Sequence, residues 1–351
     1  MTEPPIRVLV VDDSAFVRRS IQRMLESDPG IQVVGTARDG LDALEKLESL
    51  RPDVVTLDLI MPGLDGVGFL RAMPGDRPVP VVVCTIASEG APRMMEALEA
   101  GALDWIQKPT ALALDDLYEI QPTLVAKVKA AAEARLDRVA PLLAPPPPPV
   151  AAAPPEARPG LDLVAVGAST GGPQALRHVL PRLPEGFPVP VAVVLHMPVG
   201  FTTLFAEHLD ALCPLEVVEA AEGTEVRPGR ILVARAGVHL KLRRRGGRVV
   251  AFLDGQPYDA LHRPSVDVLL ASAAQVFGDR ALGVVLTGMG EDGLRGARAL
   301  RERGGRVLAE DEASCVVYGM PRAVAEAGLA DRVVPLNEMA EAICAEAQRT
   351  A

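Results

Sequence analysis

Apolar and polar positions alternate along this chain in two textures. Short runs rich in Val, Ile and Leu, apolar at nearly every position, are separated by longer stretches whose apolar residues recur every three or four positions. The first texture predicts strands buried on both faces, and the second predicts one face of a helix. Strand-like runs fall at Ile6–Val11, Ile31–Thr36, Val54–Leu57, Val79–Cys84 and Leu103–Ile106, with helical stretches such as Ala15–Ser27 and Leu41–Ser49 between them. After a break the alternation resumes with Leu161–Val166, Val189–Leu195, Arg230–Ala234, Leu282–Leu286 and Arg306–Ala309. Strands alternating with helices predict an α/β fold built as a doubly wound parallel sheet, and the break predicts two such domains.

The break itself is rich in proline. Nine prolines lie between Pro141 and Gly160, five of them consecutive at Pro145–Pro149. Proline lacks the N–H that helices and ladders use, so the segment is expected to be extended polyproline or coil, a semi-rigid spacer. An Ala- and charge-rich helix from about Leu112 to Asp137 precedes it and is expected to end the first domain. The expected organisation is a first domain over 1–122, a helix end and Pro-rich linker over 123–160, and a second domain over 161–351. No sequence repeat links the halves.

Composition narrows the function. Hydrophobic residues make up 49% and charged residues 23% of the 351 residues, as in ordinary globular proteins. Aromatics are only 3%, which argues against a surface that stacks on bases. The net charge of −10 repels phosphate backbones, so nucleic acid is not expected as a partner. The one basic cluster, Lys241 to Arg248, surrounds Gly246-Gly247 and reads as a solvated hairpin. Cys84, Cys213, Cys315 and Cys344 are far apart and form no CxxC, so neither a disulfide framework nor a zinc site is expected. No run approaches the ~18 apolar residues of a membrane span, and the N-terminus has no apolar signal run. The expectation is a cytoplasmic protein without membrane insertion.

In open parallel sheets, chemistry gathers at the carboxyl ends of strands. There the first half places Asp12 and Asp13, then Asp58, then Thr85, then Lys108. Three carboxylates repel one another unless a divalent cation sits among them, and hard oxygen ligands suit Mg²⁺. Asp58, just beyond a buried strand, is placed to attack a phosphoryl donor. Thr85 offers a hydroxyl to the new phosphoryl oxygens, and Lys108, followed by Pro109, offers a point charge. Taken singly, Asp-Asp-Ser after a strand is a common helix N-cap, and a strand-end Lys is usually solvated. Recurrence at four successive strand ends favours a phosphorylation site.

In the second half, Val164 to Pro173 reads as a strand, a glycine-rich turn and a helix start. A dinucleotide fingerprint fails here, because position 169 is Ser and the next strand ends at His196; the P-loop pattern fails as well. Gly167-Ala168-Ser169-Thr170-Gly171 satisfies G-x-S-x-G, a turn that exposes a nucleophilic hydroxyl. Ser169 then needs a general base, for which His196 is placed, and a third group to orient the imidazole. Thr287–Gly293 offers Asp292 or Glu291 for that task, and backbone N–H groups for an oxyanion hole. Each feature has a plain structural reading alone; together, at three strand ends of a parallel sheet, they favour catalysis. The order Ser…His…Asp differs from that of α/β-hydrolases. His178 and His208 fall in helical stretches, and His239 and His262 have no triad partner nearby in sequence.

These motifs carry a resemblance. Val10–Ser14, Asp58–Gly63, Thr85 after a Val run, and Lys108-Pro109 resemble a response-regulator receiver domain over residues 1 to about 122. That resemblance implies Asp58 as phosphoryl acceptor, Mg²⁺ held by Asp12, Asp13 and Asp58, and Thr85 and Lys108 as readers of the phosphorylated state. Trp105 stands at the position of the aromatic switch residue. Gly167–Pro173, His196-Met197-Pro198 with Phe201-Thr202, Arg263–Asp267, Thr287–Gly293 and Tyr318–Pro321 are similar to the catalytic domain of the chemotaxis protein-glutamate methylesterases. Leu195 stands where that family usually has Gln, and Ala234–Gly237 replaces its commoner turn. The resemblance implies a Rossmann-like hydrolase domain with Ser169 as nucleophile, His196 as base, Asp292 as orienting acid and the Met289 N–H as oxyanion donor. It further implies hydrolysis of glutamate γ-methyl esters, and deamidation of selected glutamines, on methyl-accepting chemotaxis receptors. A histidine kinase would be the phosphoryl donor, and the esterase step needs no cofactor. Two alternatives stay open on sequence alone: a phospho-regulated scaffold without catalysis, and an esterase or amidase for a small metabolite.

Overall fold

A computed structural model of the chain describes residues 4–75, 78–108, 120–145, 147–150, 160–257 and 259–348. The chain divides into two compact units, Met1–Leu143 and Ala144–Ala351.

The first unit is one parallel sheet of β1 (Ile6–Val11), β2 (Ile31–Ala37), β3 (Val54–Leu57), β4 (Val81–Ile86) and β5 (Asp104–Lys108), in the order β2-β1-β3-β4-β5. Val8–Val11, Val54, Val55, Leu57 and Val81–Val83 are buried, as runs covered on both faces require. Side chains stop the helices between them from starting at random. The hydroxyl of Ser14 accepts from the Val17 N–H, and the carboxylates of Asp39 and Asp65 cap the helices Gly40–Leu50 and Gly66–Ala72. β4 begins two residues later than the apolar run, because Pro80 has no N–H for the ladder and contributes only its carbonyl, to Val55. β5 runs past Ile106 to Lys108, held in register by Thr85↔Gln107 and Ile86↔Lys108.

The second unit holds a seven-stranded parallel sheet and a two-stranded hairpin. The strands are β6 (Leu163–Ala168), β7 (Val191–Leu195), β8 (Glu216–Glu219), β9 (Arg230–Val233), β10 (His239–Arg245), β11 (Arg248–Asp254), β12 (Ala281–Val285), β13 (Arg306–Glu310) and β14 (Arg332–Val334). The sheet order is β14-β13-β12-β6-β7-β9-β8, with β10 and β11 forming the antiparallel hairpin expected around Gly246-Gly247. Again a proline sets a start: Pro190 delays β7 to Val191 and gives its carbonyl to Val164. The edge strands β8 and β14 are not predicted from sequence. β8 reads Glu-Val-Val-Glu and β14 has three residues, so neither carries a long apolar run.

Two expectations between the units are corrected. The helix predicted from Leu112 to Asp137 is described as Gln121–Ala132, followed by a 3₁₀ turn at Leu136–Arg138; Pro109 and residues 112–119 lie outside the described residues. The Pro-rich segment does not begin as coil at Pro141. Pro141 lies in a one-turn helix, Val139–Leu142, where the missing N–H would have had no intrahelical partner anyway. Further on, the Val150 N–H donates to the Arg182 carbonyl at 2.7 Å, while Pro146 and residues 151–159 lie outside the described residues. Among the described residues no helix is long and apolar enough to cross a membrane.

Candidate active site

β12, β6 and β7 are adjacent in the sheet, so their carboxyl ends form one cluster. Ser169 follows β6, His196 follows β7, and Thr287–Asp292 follow β12. Ser169 Oγ lies 3.0 Å from His196 Nδ1, and His196 Nε2 lies 2.8 Å from Asp292 Oδ2. An ionised Asp292 only accepts, so Nε2 carries the proton toward it and Nδ1 presents its lone pair to Ser169. The ring is therefore used in the opposite sense to the chymotrypsin arrangement, in which Nε2 faces the serine.

Asp292 is seated by the segment that starts the helix Val266–Phe277. Its Oδ1 accepts from Ser265 Oγ and the Asp267 N–H, both at 2.9 Å, and Oδ2 also accepts from the Val266 N–H at 2.8 Å. Asp267 returns the clasp, accepting from the N–H groups of Gly293 at 2.9 Å and Gly296 at 2.7 Å. Burial works to raise the Asp292 carboxyl, but His196 and these backbone donors hold it well below the usual carboxylate range. Of the two acids the sequence leaves open, Asp292 meets the imidazole, and Glu291 is exposed.

The turn after β6 rests on the turn after β12. The Ser169 N–H donates to the Thr287 carbonyl at 3.0 Å, and Thr287 Oγ1 donates to the Thr170 carbonyl at 3.0 Å. Gly171 adopts φ +75°, and any Cβ there would lie 2.8 Å from Val316 Cβ, so the turn needs glycine on both counts. Met289 follows in the same turn, between Gly288 and Gly290.

Sequence reasoning passed over His262. Its ring stacks on that of His196, with centroids 3.9 Å apart and planes inclined by 23°. The two histidines are 66 positions apart, and only the loop before the Ser265 cap brings them together. His239 instead lies at the start of β10, its Nε2 3.2 Å from the Pro257 carbonyl.

The first unit gathers its own cluster. Lys108 Nζ bonds Asp12, and lies 2.6 Å from Asp58 Oδ2. Burial disfavours the Lys108 ammonium, yet Asp12 and Asp58 reverse this and raise it above its usual range. Burial, with Asp58 adding repulsion, lifts the Asp12 carboxyl despite Lys108. Asp12, Asp13 and Asp58 each offer an oxygen within 4.8 Å of the others, a donor set that fits a hard divalent cation. Thr85 is buried with its hydroxyl unpartnered among the described residues, and Trp105 is buried beside Lys127. Cys84, within the same strand as Thr85, is a buried free thiol pushed up to about 12 by burial and is inert.

Comparisons with known proteins follow this division. A family model described as "CheB methylesterase" matches residues 164–343, and one described as "Response regulator receiver domain" matches residues 8–119. The protein-glutamate methylesterase/protein-glutamine glutaminase 5 of Myxococcus xanthus is 56% identical over 337 residues, covering 95% of this chain and 96% of its own. The protein-glutamate methylesterase/protein-glutamine glutaminase of Symbiobacterium thermophilum is 48% identical over 354 residues, covering 97% of this chain and 96% of its own. The crystal structure of the Thermotoga maritima CheB methylesterase catalytic domain superposes with a TM-score of 0.52 at 43% identity, covering 53% of this chain and 98% of its own. The chain therefore belongs to the protein-glutamate methylesterase/protein-glutamine glutaminase family, with a response-regulator receiver region ahead of a CheB methylesterase region in one polypeptide.

Proposed function

We propose that this hydrolase removes methyl groups from glutamate γ-methyl esters on the cytoplasmic helices of chemoreceptors, deamidates selected glutamines there, and is switched by phosphorylation of Asp58. The observation that carries the reading is the unbroken relay from Ser169 Oγ through His196 to Asp292, at 3.0 and 2.8 Å. Ser169 Oγ attacks the ester carbonyl while His196 Nδ1 takes its proton. Asp292, kept ionised, stabilises the imidazolium and fixes the tautomer. The Met289 N–H stabilises the developing oxyanion. His196 then returns the proton to the leaving methoxide, so methanol departs and a glutamyl ester remains on Ser169. Water, deprotonated by the same imidazole, opens that ester and restores the serine. With a glutamine side chain the leaving group is ammonia.

In the receiver region Asp58 accepts a phosphoryl group from a histidine kinase, and Thr85 and Lys108 are placed to bond its oxygens. A Mg²⁺ ion held by Asp12, Asp13 and Asp58 would neutralise charge at the transferring phosphoryl group. Trp105, on β5 with Lys108 and next to the strand of Thr85, is the switch aromatic. The protein works in the cytoplasm, where receptor helices and kinase meet it.

Mass spectrometry of a methylated receptor fragment tests the reading. The expected result is loss of methyl groups with release of methanol, faster when a small phosphoryl donor and Mg²⁺ are added. Hydrolysis of generic esters with an untouched receptor fragment would instead favour the small-metabolite alternative.

A further inference from the structure

Glu310 closes β13 with no exposed surface and plays no part in the reaction as derived. Its Oε2 accepts from the Thr287 N–H at 2.8 Å, its Oε1 from the Ser314 hydroxyl at 3.1 Å, and the Cys315 thiol also bonds it. Burying a carboxyl among neutral donors is unfavourable, and here it pushes the group up to about 7. An apolar side chain would escape that burden but would leave the buried Thr287 N–H without an acceptor.

Thr287 is the residue from which both halves of the active site hang. Its carbonyl takes the Ser169 N–H, and its hydroxyl bridges to the Thr170 carbonyl and accepts from the Val317 N–H, all at 3.0 Å. The next residue, Gly288, packs so close that a Cβ there would lie 2.7 Å from Ser169 Cβ, and Met289 follows it. A shift of the Thr287 backbone therefore changes where Ser169 sits against the oxyanion N–H, and small displacements of reacting groups have large effects on rate.

We infer that Glu310 is a positioning residue for acyl transfer: its buried carboxyl holds the Thr287 peptide, and through it sets the spacing between Ser169 and the Met289 N–H. Protonation does not remove this function, because a proton on Oε1 can be given to Ser314 while Oε2 still accepts from Thr287. An amide oxygen can do the same.

The inference rests on Ser169 being the nucleophile, so Ser169→Ala is assayed beside the Glu310 series on the full chain. Turnover surviving Ser169→Ala would fail the triad itself; Ser169-dependent turnover indifferent to Glu310 fails only this inference. Glu310→Gln keeps the acceptor and should hold kcat within about threefold, whereas Glu310→Leu should lower kcat by about tenfold or more with KM changed less than about twofold. Glu310→Asp keeps the charge but is one methylene short, and should resemble Leu; it decides the question if the Leu variant does not fold. Unchanged kcat in the Asp or Leu variant, or a Gln variant as slow as either, overturns the assignment.

Discussion

At Asp292 four donors converge on two oxygens: Ser265 Oγ and the Asp267 N–H on one, the Val266 N–H and His196 Nε2 on the other. The start of the helix Val266–Phe277 thus supports an anion, as its dipole favours. Because nucleophile and base act as a unit, Ser169→Ala and His196→Gln should each lower methanol release by about 10⁴-fold or more. Asp292→Asn presents an amide to the imidazole and should cost about 10²- to 10⁴-fold; a deeper loss in Glu291→Gln would mean the wrong acid has been assigned. Glu310 yields a different test. Burial raises its carboxyl from 4.5 to about 7 in the native state. Between those values the native protein holds a proton that the unfolded chain releases, so stability falls as pH rises through that window. Urea midpoints of wild type should drop relative to Glu310→Gln between about pH 4.5 and pH 7; parallel midpoints would contradict the shift.

At the scale of elements, the site depends on turns that tolerate no extra atom. A Cβ on Gly288 would meet Met320 Sδ at 2.5 Å and Ser169 Cβ at 2.7 Å. Gly288→Ala should therefore force the strand-end turn away from the nucleophile and reduce kcat by about 10²-fold, with far-UV circular dichroism unchanged. Wild-type kcat in that variant would show that the turn can relax without moving Ser169. Proline acts on elements in a second way, by setting where strands begin. Pro80 and Pro190 each precede a strand and each give a carbonyl, to Val55 and Val164, without an N–H to return.

At the scale of the whole chain, receiver and hydrolase are separate compact units on one polypeptide. Covalent linkage keeps even a weakly interacting pair at high effective concentration, so a change of state at Asp58 can bias the hydrolase. A coupling of ordinary size is about 5- to 150-fold. Full-length protein given a small phosphoryl donor and Mg²⁺ should demethylate a receptor fragment at least about fivefold faster, and Asp58→Asn should abolish both the gain and the phosphate uptake. Equal stimulation of the Asp58→Asn protein would remove Asp58 from the switch.

Local pattern alone determined much of this protein. Runs apolar at successive positions marked all ten of the expected strands within two residues at either end, because burial on both faces leaves a composition that no neighbouring segment needs to explain. The largest offsets at strand starts were those of β4, β6 and β7, each two residues in, and the same texture placed Asp12, Asp58, Ser169 and His196 just past strand ends. The short polar strands β8 and β14 escaped notice, since edge strands are defined by the partner they pair with and not by their own composition. Sheet order was likewise beyond the sequence. That β12 lies beside β6, bringing Asp292 to His196 across 96 positions, follows from how the crossovers pack. The choice of imidazole nitrogen, the His262 stack and the Thr287–Glu310 bond are side-chain geometry, fixed only when distant segments close on one another. A strand end says that a residue is available for chemistry; the packed structure decides what it touches.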